Sequence, residues 1–223
     1  MSTAAATVKP TIRFQRTMWI GLLVLCFIGA SVVVRRTVAL ASPPHNAPPQ
    51  LAALDAAFAQ KPILTLAHIL PALVFVVLIP FQFSRSFRNR HLRVHRWMGR
   101  TVVVLGFIIG ASALLMIRTP IGGAIEVSAI LVFDSVFLFA LTRAFLHIRR
   151  REIVQHREWM IRAMSVALGI ATVRPIMGVF FATSPLTGLT PHDFFGIAFW
   201  IGFSLTFFAG EAWVRYTRAA LAS

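Results

Sequence analysis

Six stretches of the chain are apolar for long enough to cross, or nearly cross, a lipid bilayer. That feature constrains the fold more than any motif. A membrane helix needs about 20 mostly apolar residues to cover the hydrocarbon core. Residues 18–34, 62–84, 97–117, 120–142, 159–182 and 194–214 meet or approach that length, the first being the shortest. Backbone groups in lipid must be paired within their own segment, so each stretch is expected to be an α-helix. The expected fold class is all-α, a polytopic membrane protein with six transmembrane helices. Trp19, Trp97, Trp159, Trp200 and Trp213 fall mostly near span ends, as interfacial aromatics do. The single cysteine, Cys26, excludes an internal disulfide framework and a cysteine-based zinc cluster.

Charge sets the orientation. The chain carries 22 Lys and Arg against 7 acids, a net +15. No basic stripe interleaved with exposed aromatics accompanies that charge, so nucleic acid is not an expected partner. The basic residues flank the spans instead. Arg85, Arg88, Arg90, Arg93, Arg96 and Arg100 crowd the connection between the second and third spans, and Arg143, Arg149, Arg150, Arg151, Arg157 and Arg162 that between the fourth and fifth. Lys9, Arg13 and Arg16 precede the first span, and Arg215 and Arg218 follow the last. One side thus holds 17 of the 22 basic residues; the other holds Arg35, Arg36, Lys61 and Arg118, and Arg174 lies within a span. The positive-inside rule puts both termini in the cytoplasm. The arginine loops are expected to meet anionic headgroups. Arg35 and Arg36 run against the trend and are expected to snorkel to the outer headgroups. They also argue against cleavage at Ala39-Leu40-Ala41, so the first span is expected to be retained rather than removed as a signal peptide.

Five segments follow: a tail over 1–17, the first span with its outer loop over 18–61, one hairpin over 62–117, a second over 118–182, and the last span with its tail over 183–223. In the outer loop, Ser42-Pro43-Pro44 and Ala47-Pro48-Pro49 favour an extended start. Leu51, Leu54 and Phe58 then recur at helical spacing, which reads either as a short amphipathic helix on the outer surface or as a plain spacer. The two hairpins look duplicated. His95-Arg96-Trp97-Met98-Gly99-Arg100 opens the third span, and His156-Arg157-Glu158-Trp159-Met160-Ile161-Arg162 opens the fifth with one residue inserted. His68 to Phe75 similarly aligns with Glu126 to Phe133. Two such units in the same orientation imply a pseudo-two-fold axis along the membrane normal. Gly99, Gly106 and Gly110 share a face with His95, and Met160, Ala167 and Ala171 share one with His156, so both histidines continue small-residue packing faces.

Ionisable groups within lipid face protein interior, and they mark function or structural pairing. Glu126, Asp134, Arg174 and Glu211 lie within the spans, with His68 near an outer end. Arg174 is expected to pair with Asp134 or Glu126. Either that pair simply locks the bundle, or His68, Glu126, Asp134 and Arg174 form an outward polar pocket of a small transporter or proton-coupled carrier. At the basic end, Gln82, Arg85, His95, Arg100, His156, Arg162 and Glu211 form a second cluster. It reads either as a lipid- or partner-binding face of a non-catalytic subunit, or as a b-type haem site. In the second case His95 and His156 supply the axial imidazoles, Gly99 leaves room for the macrocycle, and Arg100 and Arg162 meet the propionates. Electrons would then pass to or from a quinone or another redox partner. His45, His91 and His147 read as solvated loop residues, and His192-Asp193 as a cap of the last span. No nucleophile–base pair, glycine-rich phosphate loop or metal-spaced cluster points to soluble-enzyme chemistry.

The run His68…Phe81-Gln82-Phe83…His95-Arg96-Trp97-Met98-Gly99-Arg100, with His156-Arg157-Glu158-Trp159-Met160-Ile161-Arg162 and Arg174-Pro175, resembles the bacterial predicted-membrane-protein family called domain of unknown function 2306. The resemblance spans about residues 64–214 and implies placement in a bacterial cytoplasmic (inner) membrane but no activity. Val94-His95-Arg96-Trp97-Met98-Gly99 is also similar to a motif of cytochrome b561, a six-helix family with a duplicated four-helix core. That similarity implies one haem between His95 and His156. A second haem would need a histidine where this chain has Glu126.

Overall fold

The computed structural model describes residues 12–42 and 46–219, and the regular structure among them is entirely α-helical. The helices are α1 (Ile12–Ala41), α2 (Pro49–Ala59), α3 (Pro62–Phe83), α4 (Arg85–Arg90), α5 (Leu92–Met116), α6 (Gly123–Arg149), α7 (Ile153–Thr187) and α8 (Pro191–Ala219). Six of them, all but α2 and α4, are long and apolar enough to cross a membrane. The protein is therefore a multi-pass membrane protein. The segment expected to be a tail falls largely outside the described residues, as do Pro43, Pro44 and His45.

Most of the helices outrun their apolar stretches. Where 18–34 was expected, α1 has 30 residues, and α7 has 35. Hydropathy marks only the part a lipid covers, whereas Arg, Leu and Phe flanks continue a helix until something stops it. For α7 the stop is Gly188, whose φ of 69° few other residues adopt. At the start of α6 the opposite holds. Pro120 does not open the helix, because the chain first turns through Gly122 and a left-handed Gly123 (φ 58°). Pro71 and Pro80 in α3, and Pro175 and Pro185 in α7, are accommodated inside helices, which neighbouring helices make tolerable in membrane bundles.

Helices α3 and α5 pack as one hairpin around α4, and α6 and α7 pack as another. Helix α1 lies between α3 and α7, α5 packs on α6, and α8 covers α6 and α7. Of the glycine stripe of α5, Gly106 and Gly110 are buried and Gly99 is half-buried. A Cβ on Gly106 would stand 2.6 Å from Leu141, and one on Gly110 2.5 Å from Leu138, so α6 approaches α5 over bare backbone. Gly202 does the same for α8 against Val173 of α7. Phe75, Ile79, Leu141 and Val173 are nearly inaccessible at the centre, whereas Phe27 and Phe208 are 73% and 67% exposed. Exposed phenylalanine on this scale suits a lipid-facing surface.

The loop helix α2 forms, and Leu54 is buried, 3% exposed. Its polar side is a surprise. Asp55 is buried and takes Arg35 through two hydrogen bonds, 3.0 and 2.7 Å, as well as Arg36. Arg36 also lies over the Phe58 ring at 4.2 Å. The two arginines therefore fold onto α2 instead of snorkelling to headgroups, because a carboxylate is within reach.

Candidate functional site

Two polar clusters sit at opposite ends of the bundle. At the arginine-rich end, α7 begins where α6 has just ended. The connection turns through Arg151 at φ 63°, and His147 pairs with Glu152 across it. His147 is thus a paired and largely buried side chain, not the solvated loop residue expected. In the first turns of α7, His156 Nδ1 is 2.9 Å from the Ala144 carbonyl. A carbonyl only accepts, so Nδ1 carries the proton and Nε2 keeps its lone pair. His95, in the first turns of α5, has a buried Nδ1 with no hydrogen-bond partner. The charges of Arg88 and Arg96 reach His95, and His156 is near enough that protonating both imidazoles would make them repel.

The other expected members of this site are placed differently. Arg100 is exposed and stacks over Trp97 at 4.9 Å, beside Leu92, Arg93 and Arg96 on the bundle surface. Arg162 donates to Glu211 at 2.8 Å and lies over Trp159 at 4.8 Å. The contacts of the two arginines are thus to Trp97, Trp159 and Glu211, with no hydrogen bond to either imidazole among the described residues. The space beside Gly99 is bounded by Gln82, whose Oε1 stands 3.4 Å from where a Cβ would be. Glu211 also accepts from Arg215 at 3.1 Å, and Glu158 pairs with Arg218, so α8 is fastened to α7 by ion pairs. Exposed pairs contribute little, but Glu158 is buried and Arg162 nearly so, which makes the fastening of α7 to α8 specific.

At the other end, no hydrogen bond or ion pair among the described residues joins the four residues expected in one pocket. Glu126 accepts from the amides of Ile121 and Gly122 at 2.6 and 2.7 Å, closing the first turn of its own helix. Lys61 donates to the Thr119 carbonyl at 2.7 Å. Burial pushes the Lys61 ammonium below the usual lysine range, and the Glu126 charge draws it part of the way back. His68 Nδ1 lies 3.2 Å from the Ile109 carbonyl and 2.9 Å from Ser112 Oγ, tying α3 to α5. Asp134 faces α5, with Oδ1 3.0 Å from the place of a Gly110 Cβ and Oδ2 buried without a partner. Arg174 has a buried Nε without a partner, and its one hydrogen-bond contact is Met177 Sδ at 3.8 Å. The expected Arg174 ion pair with Asp134 or Glu126 does not form. One carboxylate has turned to its own helix start, the other points at α5, and Arg174 lies in the field of Arg35 and Arg36.

Sequence reasoning missed Asp55 and the Arg218–Glu158 pair. Asp55 had a readable signal, since it is the sole acid before Glu126. Of the pair His192-Asp193 expected to cap or precede the last span, Asp193 makes the bonds at the start of α8, accepting from the Thr190 amide and hydroxyl at 2.8 and 2.7 Å. No group of three or more His, Cys, Asp or Glu suited to a metal ion occurs among the described residues.

Six bilayer-length helices with ion pairs at the ends and a few ionisable groups within define a multi-pass α-helical membrane protein. The chain belongs to the DUF2306 family of predicted membrane proteins, which it matches over residues 65–211. That region runs from α3 into α8 and contains His68, His95, Glu126, Asp134, His156 and Arg174. No curated protein and no solved structure matches the chain, and the similarity to cytochrome b561 gains no support.

Proposed function

We propose that this is a membrane redox protein holding one b-type haem through His95 and His156, near the arginine-rich end. The donor state of the imidazoles carries the reading. His156 keeps a free Nε2 because Ala144 fixes its tautomer, and His95 keeps a buried ring nitrogen with no partner. Two such donors on different helices suit an axial pair, and the hydrogen bond to Ala144 would orient the His156 ring and raise its basicity. When bound, haem would supply one-electron transfer to or from a quinone or protein partner. Arg88 and Arg96, whose charges act on His95, offer propionate partners alongside the expected Arg100 and Arg162. In this reading the α3–α5 and α6–α7 hairpins are duplicated units, and the arginine-rich end faces the cytoplasm of a bacterium. A carrier built on all four outer residues has less support, because Glu126 and His68 are spent on structural hydrogen bonds.

The test is an absorption spectrum of the full-length protein purified after expression with ample haem. We expect a Soret band that shifts on reduction and is lost in His95→Ala and in His156→Ala. A wild-type protein without that band, or a His95→Ala/His156→Ala protein that retains it unchanged, would overturn the proposal.

A further inference from the structure

Among the described residues, no anion pairs with the guanidinium of Arg174. It sits inside a membrane helix, its Nε is buried with no hydrogen-bond partner, and among the described residues its one polar contact is a thioether at 3.8 Å. Such a group in a low-dielectric interior is costly and ordinarily finds a carboxylate. Here both carboxylates of α6 are elsewhere, and the charges that act on Arg174 most strongly are Arg36 and Arg35. Asp55 serves those two arginines and is the sole acid paired with them. Two guanidiniums therefore share one carboxylate and the third has none among the described residues, which leaves this part of the bundle positive.

We infer that Arg174 anchors a phosphate-binding site in the arginine-poor half of the bundle, with Arg35 and Arg36 supplying the surrounding field. A guanidinium presents donors in a planar fork that matches the oxygens of a phosphate. The arginines are also staggered in depth. Gly29 of α1 lies against Ala171 of α7, 3.9 Å from the place of its Cβ, so Arg35 and Arg36, six and seven residues further along α1, stand beyond Arg174, three residues further along α7. A phosphate entering from that end would meet Arg35 and Arg36 before Arg174. The phosphate has two sources, a phospholipid headgroup or the free ion.

The experiment uses the full chain in a neutral maltoside detergent. Inorganic phosphate is titrated against sodium chloride at matched ionic strength, with thermal unfolding as the readout. In parallel, native mass spectrometry follows retention of phosphatidylglycerol. Saturable stabilisation by phosphate supports the site and identifies the free ion; retention of one phosphatidylglycerol supports it and identifies the lipid. Either response should vanish in Arg174→Met, a variant expected to fold because it removes an uncompensated charge. Arg174→Lys keeps the charge but not the fork, and should bind about tenfold more weakly, the loss of one charge-assisted hydrogen bond. No saturable response to either probe in the wild type overturns the proposal. So does a wild-type response in Arg174→Met or, if that variant aggregates, wild-type affinity in Arg174→Lys.

Discussion

Replacing Asp55 with alanine should release α2 from the bundle without unfolding the membrane helices. Asp55 is 9% exposed and Arg36 6%, while the Arg35 side chain is 40% exposed. When the carboxylate is removed, Arg35 can turn to solvent, but Arg36 is left as a buried cation beside a second one. Breaking a buried pair in this way costs about 3–5 kcal/mol. The Phe58 ring at 4.2 Å offers no new compensation, since that contact already exists. Against this, the fully buried anchor of α2 is Leu54, and burying a leucine contributes about 1.5–3 kcal/mol. The charge defect is at least as large as the anchor, so the short helix should give way before the long ones. A local loss of about 3 kcal/mol corresponds to roughly a hundredfold change in an opening equilibrium. Hydrogen exchange by mass spectrometry should show protection of amides 51–59 falling by about that factor, with α3, α6 and α7 unchanged. Adding Arg36→Met to Asp55→Ala should restore most of the protection, because the stranded charge is then gone. Protection within about threefold of wild type in Asp55→Ala would refute the argument, as would failure of the second substitution to restore it.

Two further outcomes follow from the same structure. A Cβ on Gly196 would stand 2.5 Å from the Glu126 nitrogen and 2.8 Å from the Ile125 carbonyl carbon, both backbone atoms that cannot step aside. Gly196→Ala should therefore lower thermal stability by about 1–3 kcal/mol, while Gly178→Ala, with nothing within 4 Å, should be neutral or slightly stabilising. The two acids of α6 should behave oppositely. Glu126→Ala strands two amides and should cost about 2–4 kcal/mol, whereas Asp134→Asn removes a carboxylate with an unpartnered oxygen and should leave the melting temperature unchanged or raised. Thermal unfolding of the purified variants in one detergent checks both contrasts.

Much of the architecture could be read in one dimension. Hydropathy is a sum over neighbours in the chain, so the six crossings were visible without any knowledge of packing. The glycine stripe at Gly106 and Gly110 was equally local, since helical periodicity alone puts those residues on one face. Pairing was less legible. Arg174 and Asp134 are both expensive in lipid and of opposite sign, which made an ion pair the natural expectation. Each is rotated toward a different neighbour, however, and the rotation of a helix is set by the whole bundle. Glu126 could have been read more closely, for an acid in the first turn of a helix has free amides at hand.

From the sequence alone came the number of crossings, the segregation of arginine to alternate ends, and the histidines that open α5 and α7. Tertiary packing alone decided which of those charges meet. It gave Asp55 to Arg35 and Arg36, Glu158 to Arg218, the Ala144 carbonyl to His156, and no acid to Arg174. The physical reason is one of range. The cost of exposing backbone or apolar surface is settled residue by residue along the chain, whereas a hydrogen bond or ion pair depends on distances of a few ångströms between helices far apart in sequence.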